Sequence, residues 1–233
     1  MSTMRMHMRS AVTYLVLVFA SLSHPALAQD PAPPIPWVVV DVHGSFPRFP
    51  SDDTGLANSR NMDVAELPGT GLGAQFGLHI YPVHTRVITI GIGGELAIGH
   101  SSKTPLPEAV SATLGRPLLQ SEEHLTSLSP QLSLNFGNGS GWSYLSAGLG
   151  ASTLSLSTEA LGDYPGNSDR LKTFNYGGGA RWFVKPHLAF SFDVRFYSIS
   201  PGFAYTLTVP PFTTLPGTPH TSLLIIAAGI SLK

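Results

Sequence analysis

From Trp37 onward the apolar residues of this chain fall on alternate positions, and nowhere do they run together for the 18 or more residues that would suggest a membrane-spanning helix. Mean hydropathy is nevertheless +0.15, so the apolar residues are numerous but spread out. Hydrocarbon admits only helices and closed barrels, because each backbone N–H and C=O must be paired internally. If this chain enters a membrane, it does so with strands.

Alternation of period two recurs to the last residue. Val38, Val40, Val42 and Phe46 share one parity, with Asp41, His43 and Ser45 on the other. Leu72, Ala74, Phe76, Leu78 and Ile80 oppose Gly73, Gln75, Gly77, His79 and Tyr81. Further strands are expected around Ile88–Gly99, Ser127–Phe136, Tyr144–Ser155, Asn175–Val184, Leu188–Tyr197 and Thr221–Leu232. The fifth is weaker, because Trp142 and Tyr144 carry the opposite parity to Leu145 and Leu149, and the eighth is apolar on both faces in its first half.

Connection lengths form a second signal. Short turns are expected at Pro82–Thr85, Gly137–Gly141 and Lys185–His187, and long segments rich in Pro, Gly, Ser and Asp at Pro47–Pro68, Ser101–Glu123, Thr158–Asp169 and Ser200–His220. Short turns alternating with long loops, on an even number of strands, describe an outer-membrane barrel with both ends in the periplasm. Soluble barrels and sandwiches alternate too, but they keep a charged exterior. Only 12% of this chain is charged, the polar parity is rich in Gly and Ser, and Trp37, Tyr81, Trp142, Tyr144 and Trp182 lie near strand ends, where interfacial aromatic girdles belong.

The first residues carry Arg5, His7 and Arg9, then the apolar run Ala11–Ala20, then Ala26-Leu27-Ala28. This is the order of a cleaved export signal, expected over residues 1–28 and followed by a linker at 29–36 and the barrel at 37–233. About 205 residues then remain, which suits one all-β domain. Without cysteine the chain has neither disulfides nor thiolate metal sites. A formal charge of -1 offers no basic field for nucleic acid.

The stretch Asn175-Tyr-Gly-Gly-Gly-Ala-Arg-Trp-Phe-Val-Lys-Pro-His-Leu-Ala-Phe-Ser-Phe-Asp-Val-Arg-Phe-Tyr197 resembles the penultimate hairpin of the outer-membrane β-barrel family of OmpA/OmpX type, and Tyr144–Gly150 is similar in kind. The resemblance extends over roughly Trp37–Lys233. It implies an eight-stranded antiparallel up-and-down transmembrane barrel in the outer membrane of a Gram-negative bacterium, with outer-membrane lipid and the barrel-assembly machinery as partners. These barrels usually end in an aromatic residue that the machinery reads, whereas here Ile230 and Leu232 face outward and Lys233 is last.

Within such a barrel Asp41, Glu95, Arg181, Asp193 and Arg195 point inward, joined by His43 and His79. Buried charges persist only when paired, so these residues are read as a structural ion-pair network. Arg181 is expected to pair with Asp193 across the tight hairpin, and Arg195 with Glu95 across the lumen. A proton or ion path is the functional alternative for the same residues. His100, Ser101, Ser102 and His124 lie at strand ends, but spacing places no acidic third partner beside them. No residue is assigned to catalysis, to a cofactor or to a metal, and no nucleotide or zinc-protease motif is complete. Phe203, Tyr205, Val209, Phe212 and Leu215 make the last loop apolar enough to pack over the mouth or meet an extracellular ligand. These features suggest a non-enzymatic outer-membrane barrel with a structural or surface-interaction role. The alternative is a narrow transport barrel for small or apolar solutes, and the remote one a lipid-modifying enzyme.

Overall fold

A computed structural model describes residues 33–106, 108–158, 170–206, 214–215 and 217–233. The expected export signal and the linker up to residue 32 lie outside them. Eight long strands form a closed antiparallel barrel: β1 (Val38–Arg48), β2 (Leu72–His84), β3 (Thr89–Lys103), β4 (Ser121–Asn138), β5 (Gly141–Thr158), β6 (Leu171–Lys185), β7 (Leu188–Ile199) and β10 (Thr221–Leu232). Each pairs with its neighbour in sequence, and β1 meets β10 from Val40↔Leu232 to Arg48↔Leu224, closing the ring. A separate two-residue hairpin, β8 (Tyr205–Thr206) with β9 (Thr214–Leu215), lies in the last loop. Val209 and Phe212 of that loop and residues 159–169 of the third fall outside the described residues.

The wall is inside-out relative to a soluble barrel. Leu145, Leu149, Val184 and Phe190 face outward at 60, 71, 57 and 62% exposure, while Arg181 and Arg195 face inward at 1% each. A water-soluble domain does not leave so continuous an apolar surface uncovered, whereas hydrocarbon accommodates it. The barrel is therefore a membrane-spanning one.

Toward the long-loop end the parity inverts. On β4 the outward residues pass from Leu134, Leu132 and Leu128 to Thr126, His124 and Glu122, while the inward ones pass from Ser129 and Ser127 to Leu125. On β5, Leu145 and Leu149 give way outside to Thr153, Ser155 and Ser157, and Leu154 and Leu156 turn inward. On β4 and β5 the change falls at Thr126 and Thr153, which are paired; on β3 it comes one outward residue later, since Ile98 beside Thr126 still faces outward and His100 follows opposite His124. Below the change the wall is apolar without and polar within; above it the outer face turns polar, and leucines join the inward face beside the buried Glu123 and Ser121.

Three expectations change. The first turn is Thr85–Ile88 rather than Pro82–Thr85, because β2 runs on to His84 past an irregularity between Ile80 and Val83. The second long loop is shorter than Ser101–Glu123, since both strands continue beyond the apolar band, to Lys103 on β3 and from Ser121 on β4. Tyr81, Trp142 and Tyr144 do not belong to a girdle. They point into the lumen at 0, 3 and 5% exposure, whereas Trp37 and Trp182 face outward.

Candidate functional site

The lumen is built in three tiers, and its charged side chains occupy the middle one. Arg181, on β6, reaches across to β1, where its Nε and Nη2 donate to Asp41 Oδ1 and Oδ2 at 2.9 and 2.6 Å. Such two-pronged pairing fixes direction as well as energy. Ser231 on β10 also donates to Asp41, and His79 Nε2 lies 3.4 Å from Asp41 Oδ2. The guanidinium rests over the ring of Tyr144, 4.2 Å from its centroid.

Arg195 is the second hub. Its Nε lies 3.1 Å from Glu95 Oε2, and its Nη2 donates to Asp193 Oδ2 at 3.0 Å. Nη1 donates to Asn175 Oδ1 at 3.2 Å and Nη2 also to Ser146 Oγ at 2.9 Å. Two phenols complete the acids: Tyr197 donates to Glu95 at 2.6 Å and Tyr144 to Asp193 at 2.7 Å. His43, on the same face of β1 as Asp41, shares a 2.6 Å hydrogen bond with Ser191.

All five charged residues singled out from sequence thus meet in the lumen, with the partner of Glu95 as expected and that of Arg181 not.

 Arg195 meets Glu95, whereas Arg181 turns away from Asp193 to Asp41. The physical reason is that Asp193 is already held by Arg195, two residues along the same strand, and by Tyr144. Inward glycines give these side chains room. A Cβ on Gly179 would sit 2.7 Å from Tyr144 Oη, and one on Gly91 2.7 Å from the Tyr81 ring.

Apolar layers close the network from both sides. Toward the long loops Phe49, Leu125, Leu154, Ile199, Leu223 and Ile225 form a buried cluster. Toward the short turns Val39, Tyr81, Trp142 and Tyr144 pack around Ile35. Ile35 belongs to a strap, Pro33–Pro36, in the region read from sequence as a linker. Gly139 N–H donates to Pro33 O at 2.6 Å and His84 Nε2 bonds Ile35 O at 2.9 Å. Between two apolar layers, each unpaired charge would be costly.

Above the lumen the first long loop folds back as a lid. Asp53 caps a short helix, α1 (Thr54–Ser59), and Asp63 and Glu66 form a capping box on a single 3-10 turn, Val64–Glu66. Leu56, Ala57, Met62 and Leu67 pack against Leu156, and Arg60 donates to Thr218 of the last loop at 2.8 Å. Glu66 also holds the second loop. Its carboxylate accepts from Arg116 Nη1 and Nη2 at 2.5 and 2.9 Å and from the Leu119 amide at 2.6 Å.

Burial works to raise the Glu66 carboxyl, but the Arg116 guanidinium and the Leu119 and Asp63 amides outweigh it and hold the group below its ordinary value of 4.5. A lowered carboxyl stabilises the folded lid fully above that ordinary value, and the contribution is lost as pH falls through the folded one. Acidification is therefore expected to lower the protection of the Leu119 amide, its exchange measured against the intrinsic rate at the same pH, before the barrel itself opens. Glu66→Gln should be less protected at neutral pH and lose this acid dependence; equal protection in both proteins at every pH would contradict the assignment.

No protein-family model and no curated protein matches the sequence. Among solved structures, the chain is similar to Neisserial surface protein A, at 12% identity and a TM-score of 0.45 over 84% of this chain and 96% of that one. It is also similar to the attachment invasion locus protein Ail of Yersinia pestis, at 12% identity and 0.44 over 84% and 97%. The outer membrane protein OprG of Pseudomonas aeruginosa gives 12% and 0.45 over 87% and 98%. The topology itself rests on the strand register described above.

Proposed function

We propose that this chain is a non-enzymatic outer-membrane β-barrel whose lumen is plugged and whose work is done at its surface, as a structural or surface-interaction protein. The observation that carries this reading is the layering of the lumen, with paired charges at 1–8% exposure held between two apolar clusters. An eight-stranded barrel has an interior just wide enough for its side chains to fill, and here large ones fill it. The short turns and both ends of the barrel would lie in the periplasm and the lid outside, the usual orientation of such proteins. In a planar bilayer the refolded protein is expected to pass no large, stable current. Sustained currents through the unmodified protein would overturn the plug.

A second reading, a narrow barrel for small or apolar solutes, is favoured by one feature of the outer wall. An apolar groove of about 790 Å³ lies over Gly93, Gly94, Pro130 and Gly148. Proline has no N–H to give a ladder, and the β4–β5 register skips Ser129 and Pro130 between Leu128↔Ala151 and Gln131↔Gly148. The groove faces lipid and supports entry of an apolar molecule from the side. Protein-dependent uptake of such a solute into liposomes, without ionic current, is the result that would favour this reading over the first.

A further inference from the structure

The inverted rim above the apolar band carries a side-chain cluster that the plugged lumen does not use. His100 on β3 and His124 on β4 are directly opposite in the register. Their ring centroids are 4.5 Å apart with the planes tilted by 32°. Glu122 lies two residues along β4 on the same outward face, with its Oε2 3.9 Å from His124 Nε2. That separation is too long for a hydrogen bond. One ligand atom from each of the three lies within 4.8 Å of the others.

We propose that His100, Glu122 and His124 form a binding site for a divalent transition-metal ion, best matched by zinc, on the outer wall of the barrel just above the hydrocarbon boundary. The donor set is two imidazole nitrogens and one carboxylate oxygen, which suits zinc and its borderline neighbours rather than magnesium or calcium. Zn–N and Zn–O bonds of about 2.0–2.2 Å put two ligand atoms of a tetrahedral ion roughly 3.4 Å apart. The observed spread therefore needs only small side-chain rotations. The backbone under the site is fixed, because β3 and β4 pair continuously from Thr89↔Asn135 to Lys103↔Ser121, and β5 flanks His124 with Ser155. Both histidines are exposed and Glu122 is partly so, so an ion can enter from solvent. Three protein ligands leave the fourth position to water.

The test is calorimetric titration of zinc alone into the full chain, refolded in detergent micelles and checked for folding by heat-dependent gel mobility. The wild type is expected to bind one tightly held ion. Changes that only perturb a ligand's support already cost about 10- to 100-fold in affinity, so H100A or H124A should lose about 100-fold or more, and E122Q about 10-fold. H187A, at the opposite end of the barrel, should bind as the wild type does. Cobalt bound to the wild type should show the intense visible bands of a tetrahedral site, and these should vanish in H100A. Absence of tight binding to the wild type, affinity unchanged in H100A and H124A, or equal loss in H187A would each overturn the proposal.

Discussion

Replacing Arg195 by alanine is expected to cost the refolded barrel about 3–5 kcal/mol, the usual consequence of stranding a buried charge. The effect should lie at the upper end, because this one guanidinium serves two carboxylates, Glu95 on β3 and Asp193 on its own strand. Ser146 and Asn175 would lose a donor as well. Arg195→Lys retains the charge but not the planar fork, and should fall between the two. The measurement is the urea midpoint of the mobility shift between folded and unfolded protein. A leak in the planar bilayer should accompany the loss, since the side chain also fills the lumen. Stability within about 1 kcal/mol of the wild type, with no leak, would mean that the acids find other partners and that the pairing is not what holds the lumen closed.

Arg181→Ala should be costly for a different reason. Asp41 lies on the first strand and is paired in register with Ser231 on the last, which also donates to it. Arg181 therefore holds the seam at which the barrel closes. Arg181→Ala and Asp41→Ala are each expected to destabilise by about 3–5 kcal/mol. The pair replaced together by apolar residues of similar volume, as in Asp41→Leu with Arg181→Met, should recover most of the loss, because no charge is then left stranded. The cycle of single and double variants reads the coupling directly. Additive losses would show that the two side chains act independently despite their 2.6 Å contact.

Much of this was legible in the sequence because a strand shows its two faces as two parities. Val38, Val40 and Val42 against Asp41 and His43 needed only that rule. So did Trp142 and Tyr144: their parity placed them inside, and the expectation of a girdle overrode it on residue type alone. The partner of Arg181 was not legible. Sequence spacing favours Asp193 on the adjacent strand, but a long side chain in a glycine-lined lumen can reach any strand, and the choice depends on which acid is already satisfied. The lid divides in the same way. Asp63-x-x-Glu66 has the spacing of a capping box and could have been found. The reach of Arg116 back to Glu66, 50 residues away in a loop without periodicity, left no trace.

The strands differ in length, and the level at which the parity inverts turns that difference into a shape. From Leu128 up to Ser121, β4 climbs about 15–20 Å beyond the apolar band at the usual rise and tilt of barrel strands. On the far side β7 stops at Ile199, three residues above the outward Phe196. The rim is thus a parapet, high along β3, β4 and β5 and low along β7, β10 and β1. The polar outer face is therefore tall on one side of the barrel and short on the other, so the molecule has a front and a back about the barrel axis.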